Sequence, residues 1–147
     1  MSSCTFFGHR DVTEELEPIL YSVITDLIKN QKADKFYVGN HGAFDYTVIK
    51  ILKSLSKLYS NICYFIVLAY LPTTNSGIDF SQTIFPDGLE NVPPKFAIKK
   101  RNIWMIEKSD IVVTYVTRGF GGAAQFKELA EKKGKRIINL TDYINTP

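Results

Sequence analysis

Residues 62–70 read Ile-Cys-Tyr-Phe-Ile-Val-Leu-Ala-Tyr and contain no charged side chain. A strand with one face in water alternates apolar and polar residues, whereas a strand covered on both faces is apolar throughout. β-Branched and aromatic residues in a run this short also favour a strand over a helix. The stretch therefore predicts a buried strand in a sheet that carries helices on both faces.

Short apolar runs and longer helical patterns alternate on both sides of this stretch. The runs that predict strands lie at 4–7, 36–38, 62–70, 111–116 and 137–140, and the patterns that predict helices lie at 16–28, 44–58, from 93–94 onward and at 121–133. Right-handed crossovers join strands that alternate with helices, and they make neighbouring strands parallel. The predicted fold is α/β: a doubly wound, mainly parallel sheet of the Rossmann-like type in a single domain.

The segment 72–94 interrupts this alternation with proline, glycine and asparagine. Connections this long are uncommon in compact domains and often serve as lids or binding loops. An ordered surface loop without a function, with or without a small hairpin, would have the same composition. We interpret residues 1–147 as one domain with a long connection or lid at 72–94.

The composition of the chain indicates its cellular compartment and its classes of binding partner. The chain has two cysteines, too few for a disulfide framework, and its longest apolar run, 62–71, is about half of a ~20-residue membrane span. Eighteen Lys and Arg against fifteen Asp and Glu give a net charge of +3, with most cations scattered. We therefore expect a soluble cytoplasmic protein without a membrane partner. We also do not expect a nucleic-acid partner, because surfaces that bind nucleic acid usually carry a larger and more clustered basic excess.

Glycine and chemically active side chains follow three of the predicted strands. The three loops are Gly8-His9-Arg10, Gly39-Asn40-His41-Gly42 with Asp45 three residues later, and Arg118-Gly119-Phe120-Gly121-Gly122. Ligands of open parallel sheets bind at the carboxyl ends of the strands, where the strand order reverses. Glycine lets backbone N–H groups approach a phosphate, and the following helices would direct their positive ends at the same crevice. The loops predict a phosphate-binding crevice, although tight strand-to-helix turns also favour glycine for steric reasons.

Other chemistries have weaker support in the sequence. His9 and His41 would need a nearby aspartate to make a metal site, and the short ligand spacings of metal motifs are missing, so no metal is predicted. Asp45 suits either a helix cap or a contact with a ribose hydroxyl. Arg101 lies in an apolar helical segment, where its guanidinium either extends to solvent or holds a phosphate in the crevice.

Five segments carry a family resemblance. They are Thr5-Phe6-Phe7-Gly8-His9-Arg10, Val38-Gly39-Asn40-His41-Gly42-Ala43-Phe44-Asp45, Lys100-Arg101-Asn102-Ile103-Trp104-Met105, Ser109-Asp110-Ile111-Val112 and Gly121-Gly122-Ala123-Ala124. Together they resemble the YpsA-like family of the SLOG superfamily, a group of Rossmann-like domains that includes the DprA recombination mediators and the LOG cytokinin-activating enzymes. The resemblance implies a SLOG-type fold that binds or senses a nucleotide or a derivative such as ADP-ribose or NAD.

The LOG enzymes imply an alternative activity, which is hydrolysis of the N-glycosidic bond of a nucleoside 5′-monophosphate. Under this alternative the resemblance assigns catalytic roles to Arg101 and Glu128. However, Ala124 and Gln125 replace the usual glycine and threonine, and Lys127 replaces the first of two glutamates. Because a lysine opposes the stabilisation of positive charge that such a reaction needs, binding or sensing is the favoured function.

The expected partner is therefore a small nucleotide-type ligand, with no cofactor required, and DprA-like binding of single-stranded DNA is the least expected function. Self-association through exposed aromatic residues such as Tyr21 or Tyr143 is left open. The expected ligand-binding residues are Gly8, His9, Arg10, Gly39, Asn40, His41, Gly42, Asp45, Arg118, Gly119, Gly121 and Gly122.

Overall fold

The computed structural model describes residues 2–9, 14–71 and 82–144. Six strands form one sheet: β1 Ser2–Gly8, β2 Ala33–Val38, β3 Cys63–Val67, β4 Thr83–Ile84, β5 Ile111–Tyr115 and β6 Arg136–Asn139. Their order across the sheet is β4-β3-β2-β1-β5-β6, and every neighbouring pair is parallel. The predicted doubly wound, parallel α/β fold is confirmed.

Four helices lie where the periodic patterns predict them: α1 Leu16–Asn30, α2 Ala43–Leu58, α3 Pro94–Lys108 and α4 Gly122–Lys132. The short helix α5 Thr141–Ile144 and a 3₁₀ turn at Leu89–Asn91 are not predicted. The buried stripe of α1 includes Leu20, Ile24 and Leu27, which recur at the spacing of one helix face. Within the described ranges, none of the helices combines the length and the apolar character needed to cross a membrane.

The chain winds outward twice from the centre of the sheet. Strands β1 to β4 follow one another toward one edge, and β5 then returns to the other side of β1. The N–H of His9 donates to the carbonyl of Tyr115 at 3.2 Å, which keeps the ends of β1 and β5 together. The strand order therefore reverses between β1 and β5, and such a reversal opens a crevice at the carboxyl ends of the strands.

Two hydrophobic layers cover the two faces of the sheet. Cys4 and Phe6 of β1 pack in the layer of α1 and α2, whereas Phe7 packs with Met105 of α3 on the opposite face. This alternation follows from the two-residue period of a strand. Because burial of one large apolar side chain contributes about 1.5–3 kcal/mol, the layers hold the helices firmly against the sheet.

Strand β3 is less covered than its sequence predicts. Cys63 is exposed, the next three residues are half-buried, and the strand ends at Val67 although the apolar run continues to Tyr70. The strand lies second from the edge of the sheet, where the helices cover the faces only in part. An uninterrupted apolar run therefore does not guarantee burial on both faces.

Strand β4 is an element that the sequence analysis does not predict. Its residues Thr83 and Ile84 pair in parallel with Ile66 and Val67 of β3. Residues 82–94, the described part of the segment 72–94, thus contribute a sixth strand and a 3₁₀ turn, while residues 72–81 lie outside the described residues. Two strand residues are too few to show a periodic pattern.

Replacement of Gly8 with alanine is expected to destabilise the fold. A Cβ atom at Gly8 would lie 2.5 Å from the ring of Phe44, which is buried at the start of α2. Overpacking of this kind lowers the free energy of unfolding by roughly 1–3 kcal/mol. Urea denaturation followed by the fluorescence of Trp104 measures the loss. The matched control is Gly119→Ala, because a Cβ atom at Gly119 meets no atom within 4 Å; equal stability of the two variants would contradict the packing role of Gly8.

Candidate functional site

A cleft of about 430 Å³ lies at the carboxyl edge of the sheet, where the strand order reverses. Its walls come from the carboxyl end of β1, the loops after β1, β2 and β5, the starts of α2 and α4, and one face of α3. The sequence-predicted residues that line it are Gly8, His9, His41, Asp45, Arg101, Arg118 and Gly122. The structure thus brings together residues from all three glycine-bearing loops.

Arg101 places a buried cation in the wall of the cleft, where the residue is 2% exposed. Its Nε donates to Oδ1 of Asn102 at 2.6 Å, and its Nη1 donates to the carbonyl of Val67 at 2.9 Å. Across the described residues, no carboxylate oxygen lies within 4.0 Å of this guanidinium. Burial lowers the pKa of Arg101, but an arginine side chain keeps its charge in proteins. The cleft therefore contains a positive charge whose direct hydrogen-bond partners are neutral.

Asp45 lies near this cation but does not pair with it directly. Its Oδ2 accepts a hydrogen bond from the N–H of His41 at 3.0 Å. Burial raises the pKa of Asp45 to about 6, against the opposing effects of that hydrogen bond and of the Arg101 charge. The carboxyl group thus takes up a proton just below neutral pH, so the extent to which it neutralises Arg101 depends on pH.

Gly39 makes this arrangement sterically possible. A Cβ atom at position 39 would lie 2.8 Å from Oδ2 of Asp45 and 2.9 Å from Cζ of Arg101. Side-chain carbons in folded proteins do not approach other atoms so closely, because the interior is already packed to near-crystalline density. Any other residue at this position would displace the carboxylate or the guanidinium from the end of β2.

The two helices that begin at the cleft each follow a glycine with positive φ. Gly42 before α2 has a φ of 92°, and Gly121 before α4 has a φ of 98°, a conformation that other residues rarely adopt. Neither helix has a side-chain cap, so the helix itself leaves the N–H groups of its first turn without partners. A Cβ atom at Gly122 would meet nothing within 4 Å, which leaves space for a ligand to approach the backbone.

The loop after β5 carries a cation and an exposed aromatic ring. Arg118 lines the cleft, and its guanidinium carbon lies 5.2 Å from the centre of the Phe120 ring. This distance is typical of a cation–π contact. Phe120 is 70% exposed and does not itself line the cleft. The loop therefore presents an exposed ring in contact with Arg118, a residue of the cleft lining.

The two histidines occupy different environments. His9 is buried and packs edge-on against Tyr115, with ring centres 6.4 Å apart. His41 is exposed and packs edge-on against Tyr70 at 6.1 Å. Across the described residues, no group of three or more His, Cys, Asp and Glu side chains could hold a metal ion. The two rings form part of the cleft walls.

Some residues that the sequence singles out lie elsewhere. Glu128 is exposed on α4, pairs with Lys132 at 3.4 Å and does not line the cleft. Asn40 is half-buried, and within the described ranges its Oδ1 atom has no hydrogen-bond partner. Arg10 lies outside the described residues. The structure thus brings Arg101, but not Glu128, to the cleft.

Sequence reasoning missed most of the wall that α3 contributes. From this helix the cleft is lined by Ile98, Arg101, Asn102 and Met105. Their spacing of three and four residues is that of a single helix face. If Arg101 is assigned to the crevice, the helical period predicts that Ile98, Asn102 and Met105 line it as well.

Comparisons with known proteins show the fold but not a family. No family model matches the chain, and no match was found among curated proteins. The X-ray structure of DNA processing protein A (DprA) from Streptococcus pneumoniae is similar, with a TM-score of 0.68 and 15% identity over 93% of this chain and 49% of that chain. DNA processing protein A from Helicobacter pylori, described with its single-stranded DNA binding mode, is similar with a TM-score of 0.52 and 16% identity over 98% of this chain and 79% of that chain.

The chain spans about half the length of the S. pneumoniae protein. This likeness confirms the Rossmann-like fold. At 15% and 16% identity the likeness extends to the fold alone, so membership of the YpsA-like family stays a prediction.

The comparisons contradict one expectation from the sequence. The prediction that nucleic acid is not a partner is wrong, because a protein of similar fold is described with a single-stranded DNA binding mode. Net charge is a sum over the whole chain, whereas a bound strand contacts only local cations. Arg101 and Arg118 both line the cleft, while three lysines in or next to α4 pair with glutamates. The total of +3 therefore does not measure the charge at the cleft.

Replacement of Asp45 with asparagine is expected to change how stability depends on pH. The pKa of Asp45 is about 6 in the folded chain, against an ordinary value of 3.8. The folded state thus binds more protons than the unfolded state between these values, so the free energy of unfolding of the natural chain falls as the pH rises through this window. The free energy of unfolding of the natural chain, minus that of the variant, should fall by about 2–3 kcal/mol between about pH 4 and pH 7.

Urea denaturation at a series of pH values measures this difference. The matched control is Asp87→Asn, at an exposed position outside the cleft. A difference between the natural chain and Asp45→Asn that stays constant across the window would show that the carboxyl group of Asp45 is not destabilised by burial.

Proposed function

We propose that the cleft binds the phosphate group of a nucleotide and that the chain acts as a nucleotide-binding or nucleotide-sensing protein. The observation that carries the proposal is the guanidinium of Arg101, which is buried in the cleft wall and whose direct partners are neutral acceptors. A buried charge is costly unless an opposite charge accompanies it. Asp45 interacts with Arg101 electrostatically but forms no direct ion pair with it among the described residues. A bound anion would supply a direct partner.

Further features favour phosphate among anions. Arg118 adds a second cation to the cleft, and the first turns of α2 and α4 begin at its edge. Helix N-termini bind phosphate through free backbone N–H groups, and a guanidinium binds two phosphate oxygens in parallel. A cleft of about 430 Å³ falls in the size range of small-molecule sites, which suits a ligand as large as a nucleotide.

The geometry favours binding over hydrolysis. Cleavage of an N-glycosidic bond needs a carboxylate close to the sugar. Among the described residues that line the cleft, the acidic one is Asp45, and its Oδ2 already accepts the N–H of His41. Glu128 is exposed and paired with Lys132. The phosphoribohydrolase activity is therefore the less supported alternative.

Titration calorimetry with AMP, GMP, CMP and UMP tests the proposal. We expect saturable binding of at least one nucleotide. Arg101→Lys should weaken this binding about 10-fold or more, because lysine cannot form two parallel hydrogen bonds with a phosphate. The matched control is Arg136→Lys, the same exchange at an exposed position on β6 outside the cleft.

A second variant is needed because a substitution at the buried Arg101 can disturb the fold and weaken binding for that reason alone. Arg118 is exposed, so Arg118→Ala should keep the fold and still weaken nucleotide binding several-fold. Failure of all four nucleotides to bind the natural chain would refute the proposal. Release of free base that is lost in Glu128→Gln would instead support the hydrolase alternative.

Binding of single-stranded DNA is a second candidate function. The likeness to the H. pylori protein described with a single-stranded DNA binding mode favours it. In this chain, the loop after β5 fits the same chemistry, because proteins that bind single strands combine cations for the backbone with aromatic rings for the bases. Arg118 and Phe120 supply one of each.

Fluorescence anisotropy of a labelled thymidine oligonucleotide, measured over a range of salt concentrations, tests this candidate. We expect Arg118→Ala to reduce the slope of log affinity against log salt by about 0.7, the value for one lost phosphate contact on a single strand. Arg136→Lys should leave the slope unchanged. An unaltered anisotropy at micromolar protein in low salt would reject the candidate.

A further inference from the structure

Phe120 exposes a larger fraction of its surface than any other large apolar residue in the part of the chain that the structure describes. Single exposed apolar side chains are common, so exposure by itself indicates little. The position of Phe120 is more informative. It lies in the short loop between β5 and α4, at the carboxyl edge of the sheet, between the cleft-lining residues Arg118 and Gly122.

Arg118 connects this ring to the cleft. Its guanidinium carbon lies 5.2 Å from the ring centre of Phe120, while the residue also lines the cleft. Its Nε and Nη2 atoms lie 3.8 Å from the position that a Cβ atom of Gly121 would occupy, so the guanidinium packs over the start of α4. The cation thus lies beside both the ring and the place where a phosphate would meet that helix.

The polarity of the site differs between the cleft wall and the ring beside it. The guanidinium of Arg101 and the carboxyl group of Asp45 lie in the wall, whereas the exposed ring of Phe120 lies outside the lining, in contact with Arg118. A nucleotide likewise carries a charged phosphate at one end and a flat aromatic base at the other. An inorganic phosphate or a sugar phosphate would leave the ring without a contact.

We propose that Phe120 is a stacking platform for the aromatic base of the ligand and that Arg118 bridges the base and the phosphate. The inference rests on the proposed nucleotide-binding function and adds the ligand class, a phosphate ester that carries an aromatic base. Stacking on an aromatic ring accepts any base, because every base has a π face. The guanidinium beside the ring adds a cation–π contact. The platform serves a free nucleotide and one nucleotide of a single strand equally well.

Calorimetric titration with AMP and with ribose 5-phosphate tests the platform, because the two probes differ only by the base. The natural chain should bind AMP about 10-fold or more tightly than ribose 5-phosphate. Phe120→Leu should remove most of this preference while the affinity for ribose 5-phosphate stays constant. Phe120→Tyr should preserve the preference, because it keeps the aromatic face that leucine lacks.

The control variant is Leu58→Ala, which removes an equally exposed side chain, 69% against 70%, at the far end of α2. It should leave both affinities unchanged. Sedimentation of each variant checks whether Phe120 instead joins two copies of the chain.

The outcomes separate this inference from the proposed function. If neither AMP nor ribose 5-phosphate binds, the nucleotide function fails and the platform fails with it. If both bind equally, or if Phe120→Leu keeps the preference for AMP, the phosphate site stands and the platform is overturned. A loss of self-association in Phe120→Leu without a change in AMP affinity would also overturn it.

Discussion

The hydrogen bond from Nη1 of Arg101 to the carbonyl of Val67 ties α3 to the end of β3, and the rest of the site is arranged around it. Gly39 lacks the Cβ atom that would displace the guanidinium, and Asn102 accepts the Nε–H. Electrostatic interactions are stronger in the protein interior than in water, so one buried cation affects a ligand in the cleft more than scattered surface lysines do. The charge of the cleft is thus set by the few side chains that line it, with Arg101 the buried one, rather than by the composition of the chain.

Most of the fold was predictable because periodicity reports which faces of an element are buried. The patterns at 16–28 and 44–58 correspond to α1 and α2, and the short apolar runs correspond to strands of the sheet. The exceptions are near one edge. Strand β4 has only two residues, and the exposure of Cys63 in β3 depends on which neighbours cover the strand. Neither fact is encoded in the local pattern of the residues concerned.

The location of the candidate site was predictable to the level of its loops, but not of each side chain. Gly42 and Gly121 both adopt the positive φ expected of glycine before a helix. Glu128, by contrast, follows the cleft-lining Phe126 by two residues, and two residues turn a helix by about 200°. A motif that resembles an active-site pattern therefore places this carboxylate on the outer face of α4. At Gly8 the requirement for glycine also comes from packing, because a Cβ atom there would collide with the ring of Phe44.

The two edges of the sheet limit the ways in which a second copy of this chain could extend it. One edge is the two-residue strand β4, and the other is the four-residue strand β6, which begins with the exposed Arg136. Unpaired strand edges are templates for edge-to-edge aggregation, and short or charged edges suppress it. Extension of this sheet by a second copy would form few backbone hydrogen bonds. Self-association through the described edges would therefore gain little from backbone pairing, and it would depend on side-chain surfaces, whose specificity is set by shape.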